Sequence, residues 1–432
     1  MTLLVISPDY ASHLLPLVTL ATAWRDAGHE VVVASGPATA PIVAEAGFRR
    51  IDLSLGRGAN AGVMRTDQQQ ADEAASLAGF FAATRQGMVE TLTYQAQERS
   101  TDLMWEPVER ARQTLRIVEE VAPDAIIVDH LAFSARIALH TADIPYGDVV
   151  LGHPTALPVG DERYGCPPFW PAAFDPEPER MAGLRELCDR VSERFTVQWN
   201  DAAAQLDPAA TPVTDAFAVH GGTVLYNYPQ QLADGDDRML PPHLFLGSTL
   251  RGETVPADVT EWIDRGDPYV YVSFGSFLSV RDDVLARVAE ALRRLGVRAA
   301  IATGATDPAA LGDIPDGWLV RDFLPQVRLL QSAAVGVTHG GNNSVTEACA
   351  QGVPLVVLPF STDQFAGAAA LERTGAGVAL DPNTAGVDHL VAALRTQLDP
   401  PAAARAVLDD IRDAERQHPG PRRAYEALTA EI

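Results

Sequence analysis

The residues of this chain best suited to chemistry lie in Thr338–His339–Gly340–Gly341–Asn342–Asn343–Ser344, with Glu347 about one helical turn further on. The apolar run Val335–Thr338 reads as a strand, and a helix opens after it at Asn343 or Ser344. The two glycines between them let the main chain come close to a ligand. A helix start presents N–H groups without partners and the positive end of the helix dipole. Such a turn can hold a phosphate without any cation. Glu347 stands where a carboxylate could accept hydrogen bonds from ribose hydroxyls. Glycines after a strand also occur for packing alone, so this turn by itself leaves both readings open.

Further groups point the same way. Phe274–Gly275–Ser276 ends another strand with a glycine and a hydroxyl, which makes a second phosphate-facing loop. Phe323–Leu324–Pro325–Gln326 offers an aromatic face and an amide to a nucleotide base. Thr362–Asp363–Gln364 follows a strand and supplies polar groups for sugar hydroxyls. In the first half, the charge-poor loop Ser7–Ser12 leads to His13 at a helix start, and Asp129 closes the apolar run Ala125–Asp129. Histidine, with an ordinary pKa of ~6.5, is free to take a proton at neutral pH. A carboxylate behind it fixes its tautomer and stabilises the imidazolium. Helix capping by His13 or Asp129 is the alternative reading of both.

The elements that must position these groups alternate strand and helix in two halves. Leu3–Ser7 reads as a strand, His13–Ala27 as a helix ended by Gly28, and Glu30–Ser35 as a second strand. A helix near Thr114–Val121, the strand Ala125–Asp129 and another helix to Thr141 follow. The second half repeats the rhythm from Tyr269 onward. This alternation predicts an α/β fold with parallel sheets covered on both faces. The expected division is a first domain over 1–230, a linker over 231–262, a second domain over 263–400 and a helical tail over 401–432. Two inserts, Gly56–Arg112 and Gly152–Pro178, interrupt the rhythm and carry Phe80, Phe81, Met88, Trp105, Phe169 and Trp170. Inserts above the carboxyl edge of a parallel sheet build pockets, so these six are candidate acceptor-binding residues; ordinary packing is the competing account.

Composition narrows the field. The chain has 432 residues, enough for two cores, and 47% of them are hydrophobic. A net charge of −24 argues against nucleic acid or an anionic membrane as partner. There is no lysine, which removes phosphate-loop, Schiff-base and pyridoxal phosphate chemistry. The apolar run near Pro354–Phe360 falls far short of the ~20 residues of a membrane span. Met1–Pro8 reads as a first strand and not as a signal peptide, so a cytoplasmic location is expected. The cysteines, Cys166, Cys188 and Cys349, show neither a disulfide framework nor metal-ligand spacing.

Taken together, the region Phe323–Ala368 resembles the donor-binding signature of family 1 glycosyltransferases, the group that includes plant UDP-sugar enzymes and bacterial antibiotic glycosyltransferases. The shared order is P-Q, then H-G-G-x-N-S-x-x-E, then G-V-P and D-Q. The resemblance implies a GT-B fold, two Rossmann-like domains facing each other across a cleft, with the acceptor bound by 1–230 and the nucleotide-sugar by 263–400. It places Phe323 and Gln326 at the base, and His339, Asn343 and Ser344 around the diphosphate, where the loop residues Ser276 and Gly341 are further donor-binding candidates. Glu347 would hold the ribose, with Asp363 and Gln364 at the sugar. His13 would be the general base and Asp129 its partner, although Ser12 stands where relatives carry glycine. Phe323 and Asn342 replace tryptophans of the plant signature, which leaves the donor open between UDP- and TDP-sugars.

The implied activity is inverting sugar transfer to a hydroxyl of a small hydrophobic natural product, by a monomer or homodimer, with no metal and no cofactor. No Glu-x7-Glu pair, a frequent mark of retaining relatives, is present from Tyr269 onward. The alternatives are a non-catalytic GT-B auxiliary protein that activates a partner enzyme, or a nucleotide-sugar epimerase. A nicotinamide oxidoreductase would need glycines after the first strand, and Ser7–Ser12 contains none.

Overall fold

The computed structural model describes all residues except 57, 59–70, 103, 276, 277, 279, 431 and 432, and for 71–74 and 100–102 only the main chain. Among the described residues the strands form two sheets, each wholly parallel.

In the first half, β1 (Thr2–Ile6), β2 (Glu30–Ser35), β3 (Arg49–Asp52), β4 (Ala125–Asp129), β5 (Gly147–Val150), β6 (Thr223–Tyr226) and β7 (His243–Phe245) lie in the order β3-β2-β1-β4-β5-β6-β7. In the second, β8 (Tyr269–Ser273), β9 (Arg298–Ala302), β10 (Leu319–Arg321), β11 (Val335–Thr338), β12 (Leu355–Val357) and β13 (Gly377–Ala379) lie in the order β10-β9-β8-β11-β12-β13. The inner strands are apolar without alternation, with every residue of Tyr269–Ser273 buried, because helices cover both faces.

Both sheets wind outward from their first strand and then return to its other side. The reversal opens a crevice at the carboxyl ends of β1 and β4 in one sheet, and of β8 and β11 in the other. At the ends of these four strands, or in the loop or first helical turn after them, stand His13, Asp129, Gly275 and His339.

Several elements exceed what periodicity suggests. The helix predicted at Thr114–Val121 begins at Pro107, and the region before it holds helices over Ala71–Thr84 and Met88–Asp102. A 29-residue helix, Pro178–Leu206, buries Met181, Leu184, Cys188, Val191, Phe195 and Trp199 at helical spacing. The tail is two helices, Ala402–Gln417 and Gly420–Thr429, parted by Pro419. The last returns to the first half, where Tyr425 meets the buried Trp24 edge-on at 5.2 Å and its hydroxyl lies 3.0 Å from His29 Nε2. Among the described residues no helix is long and apolar enough to cross a membrane. All three cysteines are buried and free, as small hydrophobes.

Candidate active site

β1 and β4 are direct neighbours, with Ile6 paired to Val128, so the residues after them share one edge. There His13 Nδ1 lies 2.7 Å from Asp129 Oδ2. The other carboxylate oxygen of Asp129 accepts from Leu131 N at 2.8 Å, which fixes the turn after the strand. Asp129 is fully buried and His13 keeps 20% of its side chain exposed. Burial opposes charge on both, but their mutual attraction outweighs it: the His13 pKa is raised and that of Asp129 is lowered. With Nδ1–H donated to the carboxylate, Nε2 of His13 is the free acceptor. Neither residue caps its helix through its side chain; Tyr10 and Ala132 occupy the cap positions.

His13 borders a cavity of about 210 Å³ together with Arg99, His130, Leu131, Leu151, Tyr164 and Cys166. Thr362 and Asp363 of the second half complete its wall. Asp363 accepts from His153 N at 2.7 Å across the domains and from Thr362 Oγ1 at 2.9 Å. Burial raises the pKa of Asp363. Gln364, in contrast, spends its side chain on its own loop: Oε1 accepts from Phe360 N at 3.0 Å and Ser361 N at 3.2 Å.

The second crevice is built around His339. Gly275, at φ +68°, and Gly341 flank its imidazole so closely that an added Cβ would lie 2.8 Å and 2.4 Å from ring atoms. Burial drops the His339 pKa to about 4, so this ring is neutral at pH 7. The helix Asn342–Ala350 follows at once, and its first main-chain bond runs from Val345 N to Gly341 O at 3.1 Å. The N–H groups of Asn342, Asn343 and Ser344 are therefore free of intrahelical acceptors.

Glu347 is buried beneath this turn. One oxygen pairs with Arg251, and the other accepts from Gln326 Nε2 at 2.6 Å. Gln326 Oε1 in turn faces Tyr271 OH at 3.3 Å and Ser344 Oγ at 3.5 Å. Burial raises the Glu347 pKa against the opposing pull of Arg251 and Gln326. Phe323 is 72% exposed at the same edge, an open aromatic face. Ser276 lies outside the described residues. Among those described, no three His, Cys, Asp or Glu side chains gather as a metal site would require.

The two crevices are stitched together by main-chain acceptors of the first half. Asn343 Nδ2 donates to Ser12 O at 2.9 Å, and Asn342 Nδ2 to Asn227 O at 2.9 Å. Ser12 O is available because Pro16, four residues on inside the helix Ala11–Asp26, has no N–H to claim it.

Residues 237–409 match the model of the UDP-glucoronosyl and UDP-glucosyl transferase family. The NDP-glycosyltransferase YjiC of Bacillus licheniformis is 30% identical over 174 residues, 40% of this chain and 43% of that protein. The 4'-demethylrebeccamycin synthase of Lentzea aerocolonigenes is 27% identical over 433 aligned residues, 95% of this chain and 92% of that protein. Among solved structures, glycosyltransferase VinC in complex with DTDP superposes over 100% of this chain and 99% of its own, with TM-score 0.68 and 20% identity. Residues 237–409 thus match a glycosyltransferase family, and the full-length superposition shows the GT-B fold.

The six aromatic and methionine candidates of the inserts do not line the 210 Å³ cavity. Phe80 is buried against Val270, Val272 and Phe274 of the second half, with Phe81 packed beside it. Met88 sits in the core around the helix Pro178–Leu206, and Trp170 packs on that core. Trp105 stacks under Arg110 at 4.5 Å. Phe169 meets His153 edge-on at 5.6 Å, close behind the Asp363 contact. The residues that do line the cavity, Arg99, Leu131, Tyr164 and Cys166, give no sequence signal, because helix ends and turns bring them together. His130 is visible in sequence only as the neighbour of Asp129. It is buried, and its pKa is lowered to about 4, chiefly by that burial.

Proposed function

We propose that this glycosyltransferase moves a sugar from a UDP- or TDP-sugar to a hydroxyl of a small, largely apolar acceptor, with inversion at the anomeric carbon. The observation that carries this reading is that His13, backed by Asp129 at 2.7 Å, opens into the same cavity as Asp363 of the other half. The His13 side supplies a base, and the Asp363 side supplies groups for a sugar. The bound DTDP in the VinC structure and the NDP-glycosyltransferase name of the Bacillus relative support the donor class.

On this reading the acceptor oxygen attacks the anomeric carbon while its proton passes to His13 Nε2. The bond from that carbon to the diphosphate oxygen breaks, and its electron pair leaves with the diphosphate. Asp129 stabilises the imidazolium that forms. The free N–H groups at Asn342, Asn343 and Ser344 and the helix dipole stabilise the departing anion without a metal. Phe323 stacks on the base, and Gln326 and Glu347 hold nucleoside polar groups. A single displacement at the carbon inverts it.

The test is transfer from UDP-glucose and dTDP-glucose to a panel of phenolic and polycyclic acceptors in EDTA, with the product's anomeric configuration read by NMR. A β-linked product from an α-linked donor is expected. An α-linked product would overturn the single displacement, and hydrolysis or epimerisation of donor without any acceptor product would overturn the transfer.

A further inference from the structure

Among the described residues, the cavity beside His13 contains one cation without a counter-ion. Arg99 is the sole arginine among the described residues lining it, and its Nη1 is buried without a hydrogen-bond partner. Among the described residues no carboxylate pairs with Arg99. Other polar groups of the wall have partners: His13 Nδ1 meets Asp129, His130 meets Val149 O, and Asp363 accepts from His153 N and Thr362.

The guanidinium is also held in place. Its carbon sits 5.0 Å over the ring of Tyr164, which stacks on Phe217 at 3.9 Å and 6°. Phe217 stacks in turn on Phe195 at 4.2 Å, so the platform under Arg99 is a rigid column of rings. On the other side Gly165, at φ +84°, leaves room that a Cβ would fill, since that atom would come within 2.6 Å of Nη1. A charged donor withdrawn from water and left unpaired is costly, and a ligand oxygen would offset that cost. A planar guanidinium fork matches a carboxylate in shape as well as charge.

We propose that Arg99 is the specificity residue for an acceptor bearing a carboxylate, which it binds while the acceptor hydroxyl lies at His13. This rests on the transfer reading above and narrows its substrate class. The molecule would be apolar in its middle, against Leu131, Leu151 and the Tyr164 ring, with a hydroxyl at one end and an acid at the other.

The experiment is calorimetric titration of the whole protein with p-coumarate and with its primary amide, p-coumaramide, in the presence of dTDP. Wild type, Arg99→Gln and Arg99→Lys are compared, and dTDP binding is measured separately in each preparation. The expected result is that wild type binds the acid about ten- to a hundredfold more tightly than the amide, the scale of a charge-assisted hydrogen bond. Arg99→Gln should erase that preference and Arg99→Lys should keep part of it, with dTDP binding unchanged in both. Equal affinity of wild type for acid and amide, no binding of either, or a preference that survives in Arg99→Gln would overturn the proposal. Loss of dTDP binding by wild type would instead strike the transfer reading, while the acid-to-amide comparison still judges Arg99.

Discussion

His13 Nδ1 and Asp129 Oδ2 are 2.7 Å apart although 116 positions separate the two residues in sequence. The pairing of β1 with β4 brings them together, and the Leu131 amide fixes the carboxylate. His13→Ala should lower kcat by about 10²–10⁴, the usual worth of a general base. Asp129→Asn should lower it as well, by releasing the imidazole tautomer. Steady-state kinetics beside dTDP titration checks this: nucleotide affinity should hold while kcat falls. A His13→Ala enzyme of normal kcat would remove the base from His13.

The same pair sets the pH profile. The raised pKa of His13 means that the ring still carries a proton somewhat above the ordinary histidine pKa of ~6.5. Only the neutral ring accepts a proton, so kcat/KM should climb as pH rises through that raised pKa. Asp129→Asn removes the attraction that raises it and leaves the burial that lowers it, so the ascending limb should move to lower pH. A limb that stays in place in Asp129→Asn would assign it to another group.

His339 is gripped by two glycines. Gly341→Ala or Gly275→Ala would push a methyl against the ring, and Gly275→Ala would add the strain of φ +68°. Overpacking of this kind costs about 1–3 kcal/mol. Displacement of the turn should therefore weaken UDP or dTDP binding roughly tenfold or more. Gly183→Ala is the control: it lies in the helix Pro178–Leu206 with open space around it, and should stabilise by about 0.5–1 kcal/mol with no effect on nucleotide. Titration and thermal unfolding of the three variants decide the matter.

Glu347 and Arg251 form an ion pair that is buried on the glutamate side. Glu347→Ala leaves Arg251 with Glu253 alone, at 2.8 Å, and strands the Gln326 amide, so the loss in stability should be about 1–3 kcal/mol. The paired variant Glu347→Leu with Arg251→Met should recover most of that stability without recovering nucleotide affinity. Denaturant unfolding reads the first quantity and calorimetry the second. Recovery of both would show that Glu347 is structural alone.

Much of this was legible because it is local. The strands that end at Ile6, Asp129, Ser273 and Thr338 are mostly apolar runs, and the glycines and the helix start after Thr338 carry their own physical signature. The alternation of elements in each half then dictates a parallel sheet, and a parallel sheet dictates a shared edge. What sequence hid is what distant contacts decide. Phe80 looked free for an acceptor but is taken by the core of the second half. Gln364 looked free for a sugar but folds its own loop. Nothing in the sequence marks Arg99, which meets Gly165 and Tyr164 at the cavity only through the fold. The short strands Gly147–Val150 and Gly377–Ala379 were hidden for the same reason, since pairing and not composition makes them strands.

The central claim is that the Gly340–Glu347 turn binds a nucleoside diphosphate through main-chain amides. Calorimetric titration with UDP, dTDP, GDP and NAD in EDTA tests it without an acceptor. Clear binding of UDP or dTDP in the absence of metal is expected, and none of NAD. A protein that binds no diphosphate, or does so only when a divalent cation is restored, would contradict it.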